Sequence, residues 1–201
     1  MKFIRLIVRL IDGLNTKVGH AISWLSTLLV LVVCYDVFTR YFLRKSSVGV
    51  QELEWHIFAV LFLLGAAYTL KMDNHVRVDV IYTQLSPRGK AWINLFGSLV
   101  FLIPFSILVI WACQGFISMS WMIQETSPDP GGLPFRYILK AMIPAGFALI
   151  LLQGIALTLR SFCTVIGRPL EEIGAKEQQE EQQEEQQEEQ QEEQQEEQQH
   201  A

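Results

Sequence analysis

The chain has 201 residues, of which 50% are hydrophobic and 18% are charged, and its formal net charge is −5. Eleven of the acidic residues are glutamates between Glu177 and Glu197, so the rest of the chain holds 16 basic and 10 acidic residues. The negative charge therefore belongs to a C-terminal tail, and the rest of the chain is mildly basic. No nucleic-acid partner is predicted.

Residues 1–19 predict an amphipathic helix at the surface of a membrane. Apolar residues recur at helical spacing from Ile4 to Val18, while the charged residues between them occupy the other face. This pattern is typical of a helix in the headgroup layer, with its cations toward anionic lipid. A secretory signal peptide is the alternative, but Arg9 and Asp12 interrupt any apolar core and no small-residue cleavage site follows.

Four apolar stretches, at about residues 21–42, 50–70, 91–123 and 138–159, are each long enough to cross a bilayer. The third has no acidic or basic residue between Ala91 and Gln124, and the fourth has none between Ala141 and Leu159. Backbone polar groups in hydrocarbon need internal partners, so the stretches must be helices. The predicted fold class is all-α: an integral membrane protein whose four-helix transmembrane domain covers residues 20–170.

Charged residues gather where the first span ends and the second begins. Asp36 and Arg40 are four residues apart, in the favourable order for an ion pair on one helix. They form either a local pair at the interface or a contact to another chain or to Glu52 and Glu54. Because unpaired charge in lipid is costly, both glutamates should have partners, and Arg40 is the nearest candidate.

The segment after the second span carries alternating charges, which suit a cytoplasmic loop or a docking surface for another protein. Together with the junction it defines a candidate cluster that serves subunit contact or structure. Its predicted members are Asp36, Arg40, Glu52, Glu54, Trp55, Asp73, His75, Arg77 and Asp79.

The basic residues of the loops predict the orientation. With both termini on one side, eleven basic residues fall on that side and five on the other. The bias favours cytoplasmic termini, and it places the proline- and glycine-rich loop from Glu125 to Tyr137 in the periplasm. The predicted location is the inner membrane of a bacterial cell.

Catalytic, cofactor and metal sites are not predicted. A haem-binding bundle would need histidines at mid-depth, whereas His20, His56 and His75 fall near helix ends. The sequence has no zinc spacing, phosphate loop or nucleophile elbow, so we do not expect an enzyme.

The last segment, residues 171–201, is a low-complexity tail in which Glu and Gln repeat with a period of four. From Glu177 to Gln199 it has no apolar residue to bury, so it is predicted to be disordered or transiently helical. A solvated appendage is the preferred interpretation, and an interaction tail is the alternative.

Several ordered runs of residues together resemble the small membrane subunit, the Q component, of TRAP (tripartite ATP-independent periplasmic) transporters. The resemblance extends over about residues 22–160 and leaves out the Glu/Gln tail. The matching runs are Asp36–Leu43, Glu52–His56, Leu64–Asp79, Ser127–Tyr137, Lys140–Phe147 and Leu151–Gly154.

The resemblance implies an accessory role. In such systems a periplasmic binding protein captures an organic acid and a large membrane subunit moves it with a sodium gradient. The small subunit packs beside the large one in the bilayer and is required for transport. Two alternatives remain: a stand-alone carrier with Gln114 and Gln153 lining a polar path, or the membrane anchor of a redox enzyme. The residues do not indicate which acid is carried.

Overall fold

The structure is a computed structural model that describes residues 1–72 and 85–170. It contains four long helices: α1 (Lys2–Tyr41), α2 (Val48–Lys71), α3 (Pro87–Met122) and α4 (Arg136–Val165). Each is long and apolar enough to cross a membrane. The predicted all-α fold with four spanning helices is confirmed, while the predicted acidic tail lies outside the described residues.

Helix α1 joins the predicted surface helix to the first span without a break at residue 19. Its 40 residues extend over about 60 Å, twice the thickness of a hydrocarbon core. The face that carries Val8 and Ile11 is buried against Ala156, Cys163 and Leu170. Much of the amphipathic segment's apolar face is thus used inside the protein, and the outward face carries Phe3, Leu6, Leu10 and Leu14.

Helix α4 is the centre of the bundle, since it packs against each of the other three helices. Helix α2 lies between α1 and α4, and α3 packs mainly on the other side of α4. Small residues set the closest approach: at Gly146, an added Cβ would lie 2.5 Å from the carbonyl oxygen of Leu63. Gly146 on α4 and the fully buried Ala67 on α2 therefore serve contacts within the chain.

Helix α3 contains a π-helical segment, Ser98–Leu102, just before Pro104. A proline inside a helix has no N–H to donate, and its ring crowds the carbonyl four residues earlier. The wider π turn, in which the Ile103 N–H donates to the Ser98 carbonyl, accommodates this residue without ending the helix. The turn faces α4, where Gly154 contacts Leu102 and the Ser98 and Thr158 hydroxyls lie 2.8 Å apart.

The helices leave two polar ends on the bundle. At the loop end, α1 finishes, α2 begins, and the α3–α4 loop of residues 123–135 is bonded to the first turns of α2. At the N-terminal end, the first half of α1 meets the second half of α4. The candidate functional residues lie at these two ends.

Candidate functional site

At the loop end, Asp36 and Arg40 form an ion pair one helical turn apart on α1. Asp36 is 2% exposed, and the Arg40 side chain is 44% exposed. The second carboxylate oxygen of Asp36, Oδ1, is buried and has no hydrogen-bond partner among the described residues. Of the alternatives that the sequence left open, the structure shows the local ion pair, in which a buried carboxylate contacts a partly exposed guanidinium.

Glu52 is held by the α3–α4 loop, rather than by Arg40 as the sequence suggested. Its carboxylate accepts hydrogen bonds from the Ser127 hydroxyl and, at 2.6 Å, from the Leu133 N–H. The expectation failed because these partners are distant in sequence, whereas Arg40 is engaged by Asp36. Gly132 fits this arrangement, since an added Cβ would collide with the Ser127 side chain and approach the Glu52 carboxylate.

The residues next to Glu52 on α2 differ in their surroundings. Trp55 is partly exposed and lies against the Arg136 guanidinium, whose central carbon is 5.7 Å from the ring centre. His56 donates from Nδ1 to the Glu52 carbonyl oxygen at 2.6 Å, which leaves Nε2 unprotonated in the neutral ring. Glu54 has a buried carboxylate oxygen without a hydrogen-bond partner among the described residues.

Sequence reasoning missed a second carboxylate contact at this end. Glu125 pairs with Lys140, accepts from the Ser120 hydroxyl at 2.6 Å, and accepts at its backbone carbonyl from the Arg136 N–H. The Lys140 ammonium and the Ser120 hydroxyl hold the pKa of the Glu125 carboxyl below its ordinary value. The available signal was that Glu125 and Lys140 are the charges bounding two charge-free spans at the same end.

The N-terminal end holds a buried polar network that the sequence did not reveal. Asp12 pairs with Arg160 and accepts from the Gln153 amide at 3.2 Å, while Asn15 donates to the Gln153 oxygen at 2.6 Å. Asn15 and Gln153 are each 1% exposed. Gln114, which the stand-alone carrier interpretation placed on the same path as Gln153, lies exposed on α3.

The remaining members of the predicted cluster, Asp73, His75, Arg77 and Asp79, lie outside the described residues. Of the members that are described, Glu52 binds the α3–α4 loop and Trp55 lies against Arg136 at the start of α4. Asp36 and Arg40 pair with each other. Within residues 1–72 and 85–170, no three His, Cys, Asp or Glu side chains form a group that could hold a metal ion.

A groove of about 310 Å³ opens beside this end, between α1, α2 and α4. Its lining is apolar except for His56, and includes Leu25, Val60, Phe135 and Met142. The lining contains no Lys or Arg to balance an organic anion. The charged residues described above at the loop end mainly bind the loop or neighbouring residues at the helix ends.

Comparison with known proteins identifies the spans as a family domain. The family model described as "Tripartite ATP-independent periplasmic transporters, DctQ component" matches residues 29–164, more than half of the chain. The match begins within α1 and ends within α4, so it includes the whole loop end. Comparisons with curated proteins and with solved structures gave no match.

Proposed function

Since the chain belongs to the DctQ component family of TRAP transporters, we propose that it packs against the large membrane subunit and supports transport driven by sodium. The cargo is proposed to be an organic acid delivered by a periplasmic binding protein. The observation that carries this proposal is the family match across residues 29–164, which takes in all four spanning helices in part or whole.

The use of charge in the described residues supports an accessory role. A carrier commonly has ionisable groups or broken helices at mid-membrane, where they bind the substrate or the coupling ion. Here Asp12 is paired with Arg160, Asp36 with Arg40, and Glu52 with the α3–α4 loop, all toward the ends of the bundle. Substrate movement is therefore assigned to the large subunit, and substrate choice to the binding protein.

Reconstitution tests this assignment. Proteoliposomes containing this chain alone should show only background uptake of organic acids under an inward sodium gradient. Adding the large subunit and the loaded binding protein should produce uptake. Proteoliposomes that hold the large subunit and the binding protein without this chain should show less uptake. Sodium-driven uptake by this chain alone would promote the stand-alone carrier, and a haem spectrum in the purified protein would favour the redox anchor.

The proposed location is the bacterial inner membrane with both termini in the cytoplasm, because eleven of the 16 basic residues would then be cytoplasmic. A periplasm-active reporter fused after Asp129, in the α3–α4 loop, should be active. The same reporter fused after Asp79 or Glu172 should be inactive. The reverse activity pattern would show that the loop end faces the cytoplasm.

A further inference from the structure

The first half of α1 has two apolar faces, and the described part of the chain covers one of them. Val8 and Ile11, on the inward face, are buried against α4. The outward face carries a second apolar row, spaced by three or four residues, whose side chains are between 44% and 73% exposed. This outward row consists of Phe3, Leu6, Leu10 and Leu14. The sequence pattern treated the apolar residues of this segment as one face, whereas the structure divides them into two.

Exposed cations lie beside the outward row on the same half of α1. They are Lys2, Arg9 and Lys17. The only acidic residue in this half of the helix is Asp12, and its carboxylate is paired with Arg160 of α4. Because that negative charge is already neutralised within the chain, the charge that this half of α1 presents outward is positive.

The described residues around this half of α1 carry charge of the same sign. Arg88 and Arg168 are both exposed, and an Arg88 guanidinium nitrogen lies 3.8 Å from the position of a Cβ added at Gly167. The acidic residues of the described ranges other than Asp12 all lie at the loop end: Asp36, Glu52, Glu54, Glu125 and Asp129. An apolar row bordered by cations is typical of a helix that binds the surface of an anionic membrane.

From these observations we infer that the outward row, together with Lys2 and Arg9, binds phospholipids that have anionic headgroups. The two cations pair with the headgroups, while the apolar side chains of the row contact the upper part of the acyl chains. The inward face meanwhile holds the same segment on α4 through Asp12 and Arg160. This inference goes beyond the proposed function and does not depend on it, because it concerns the bilayer rather than the large subunit.

The acidic tail is the alternative occupant of this surface. It begins at residue 171, directly after Leu170, which packs with Val8 and Ile11. Its glutamates match the exposed cations in charge, but from Glu177 to Gln199 the tail has no apolar residue with which to cover the outward row. A phospholipid supplies both an anionic group and apolar chains, so lipid complements the whole surface and the tail complements only its charge.

Site-specific photo-crosslinking of the full chain identifies the occupant. With the protein in vesicles of phosphatidylcholine and phosphatidylglycerol, a photoreactive amino acid at the exposed Leu10 should cross-link mainly to phospholipid. The same amino acid at Ile11, which is buried against α4, is the control and should cross-link within the chain. Cross-linking from Leu10 mainly to the tail, or mainly to the large subunit when the assembled transporter is used, overturns the inference.

The second measurement is the composition of the lipids that cross-link at Leu10. Relative to the vesicle as a whole, these lipids should be enriched about fivefold in phosphatidylglycerol, because basic residues near a membrane surface attract anionic lipid. Combining Lys2→Gln with Arg9→Gln should bring the composition close to that of the vesicle. Raising the salt concentration should have the same effect in the unmodified chain, because mobile ions screen exposed charges.

Arg44→Gln combined with Lys45→Gln is the matched control. It removes the same amount of charge from two exposed cations, but these lie at the loop end of the bundle. The enrichment of phosphatidylglycerol at Leu10 should be unchanged in this variant. Equal loss of enrichment in both double variants, or no loss in the Lys2 and Arg9 variant, would show that the lipid does not recognise this surface.

Discussion

Replacing Gly146 with alanine is expected to lower the free energy of unfolding by about 1–3 kcal/mol, the usual cost of forcing extra atoms into a packed core. The added Cβ would lie 2.5 Å from the Leu63 carbonyl oxygen and 2.9 Å from its carbonyl carbon. Both atoms belong to backbone, so the clash is relieved only by separating α2 from α4. Thermal unfolding of the purified subunit in detergent, followed by helical circular dichroism, measures the loss.

Gly115→Ala provides the matched control for this effect. It makes the same chemical change in another spanning helix, at a position where the added Cβ meets nothing within 4 Å. Helix propensity favours alanine over glycine by about 1 kcal/mol, so this variant should unfold at the same temperature or slightly higher. Equal destabilisation by both substitutions would contradict the close crossing of α2 and α4.

Replacing Glu52 with glutamine is expected to release the α3–α4 loop. The carboxylate accepts from both the Ser127 hydroxyl and the Leu133 N–H, whereas a glutamine in the same place has only one accepting oxygen. Its NH2 group would face the Ser127 hydroxyl, which would have to accept where it now donates, and both bonds would lose their charged acceptor. Limited proteolysis within residues 125–135 should become about tenfold faster, because bonds to a charged acceptor are strong and local opening controls cleavage.

Glu54→Gln is the control for the loop, since it makes the same change two residues away. Glu54 has a buried carboxylate oxygen without a partner among the described residues. The substitution therefore removes a negative charge but breaks no hydrogen bond to the loop. Loop cleavage in this variant should match that of the unmodified protein. Slow cleavage in Glu52→Gln as well would mean that other contacts, such as the Glu125–Lys140 pair, suffice to hold the loop.

The spans could be predicted because their signal is local. A run such as Ala91 to Gln124 without acidic or basic residues has few structural outcomes other than a spanning helix. The π segment before Pro104 could not be predicted in the same way, because a proline inside a helix does not determine which irregular turn forms. Its form depends on how the widened turn packs against Gly154 and Thr158 of α4.

The polar contacts of the candidate site depend on pairs that are distant along the chain. Arg40 was expected near Glu52 because the sequence places them close together, whereas Glu52 actually binds residues 75 and 81 positions later. Likewise, Asp12 was predicted on the polar face of a membrane-surface helix, yet it pairs with Arg160 across 148 residues. Periodicity identifies which face is polar, but the partner is set by how the helices cross.

The central position of α4 has a consequence for the order in which the protein is made. Among the described helices α4 is synthesised last, and α3 packs mainly on it. Until α4 is inserted, α3 lacks its main packing partner, while α1 and α2 can already pack on each other. A chain interrupted before residue 136 therefore lacks the helix against which the other three described helices pack, so the bundle can form only once α4 has been inserted.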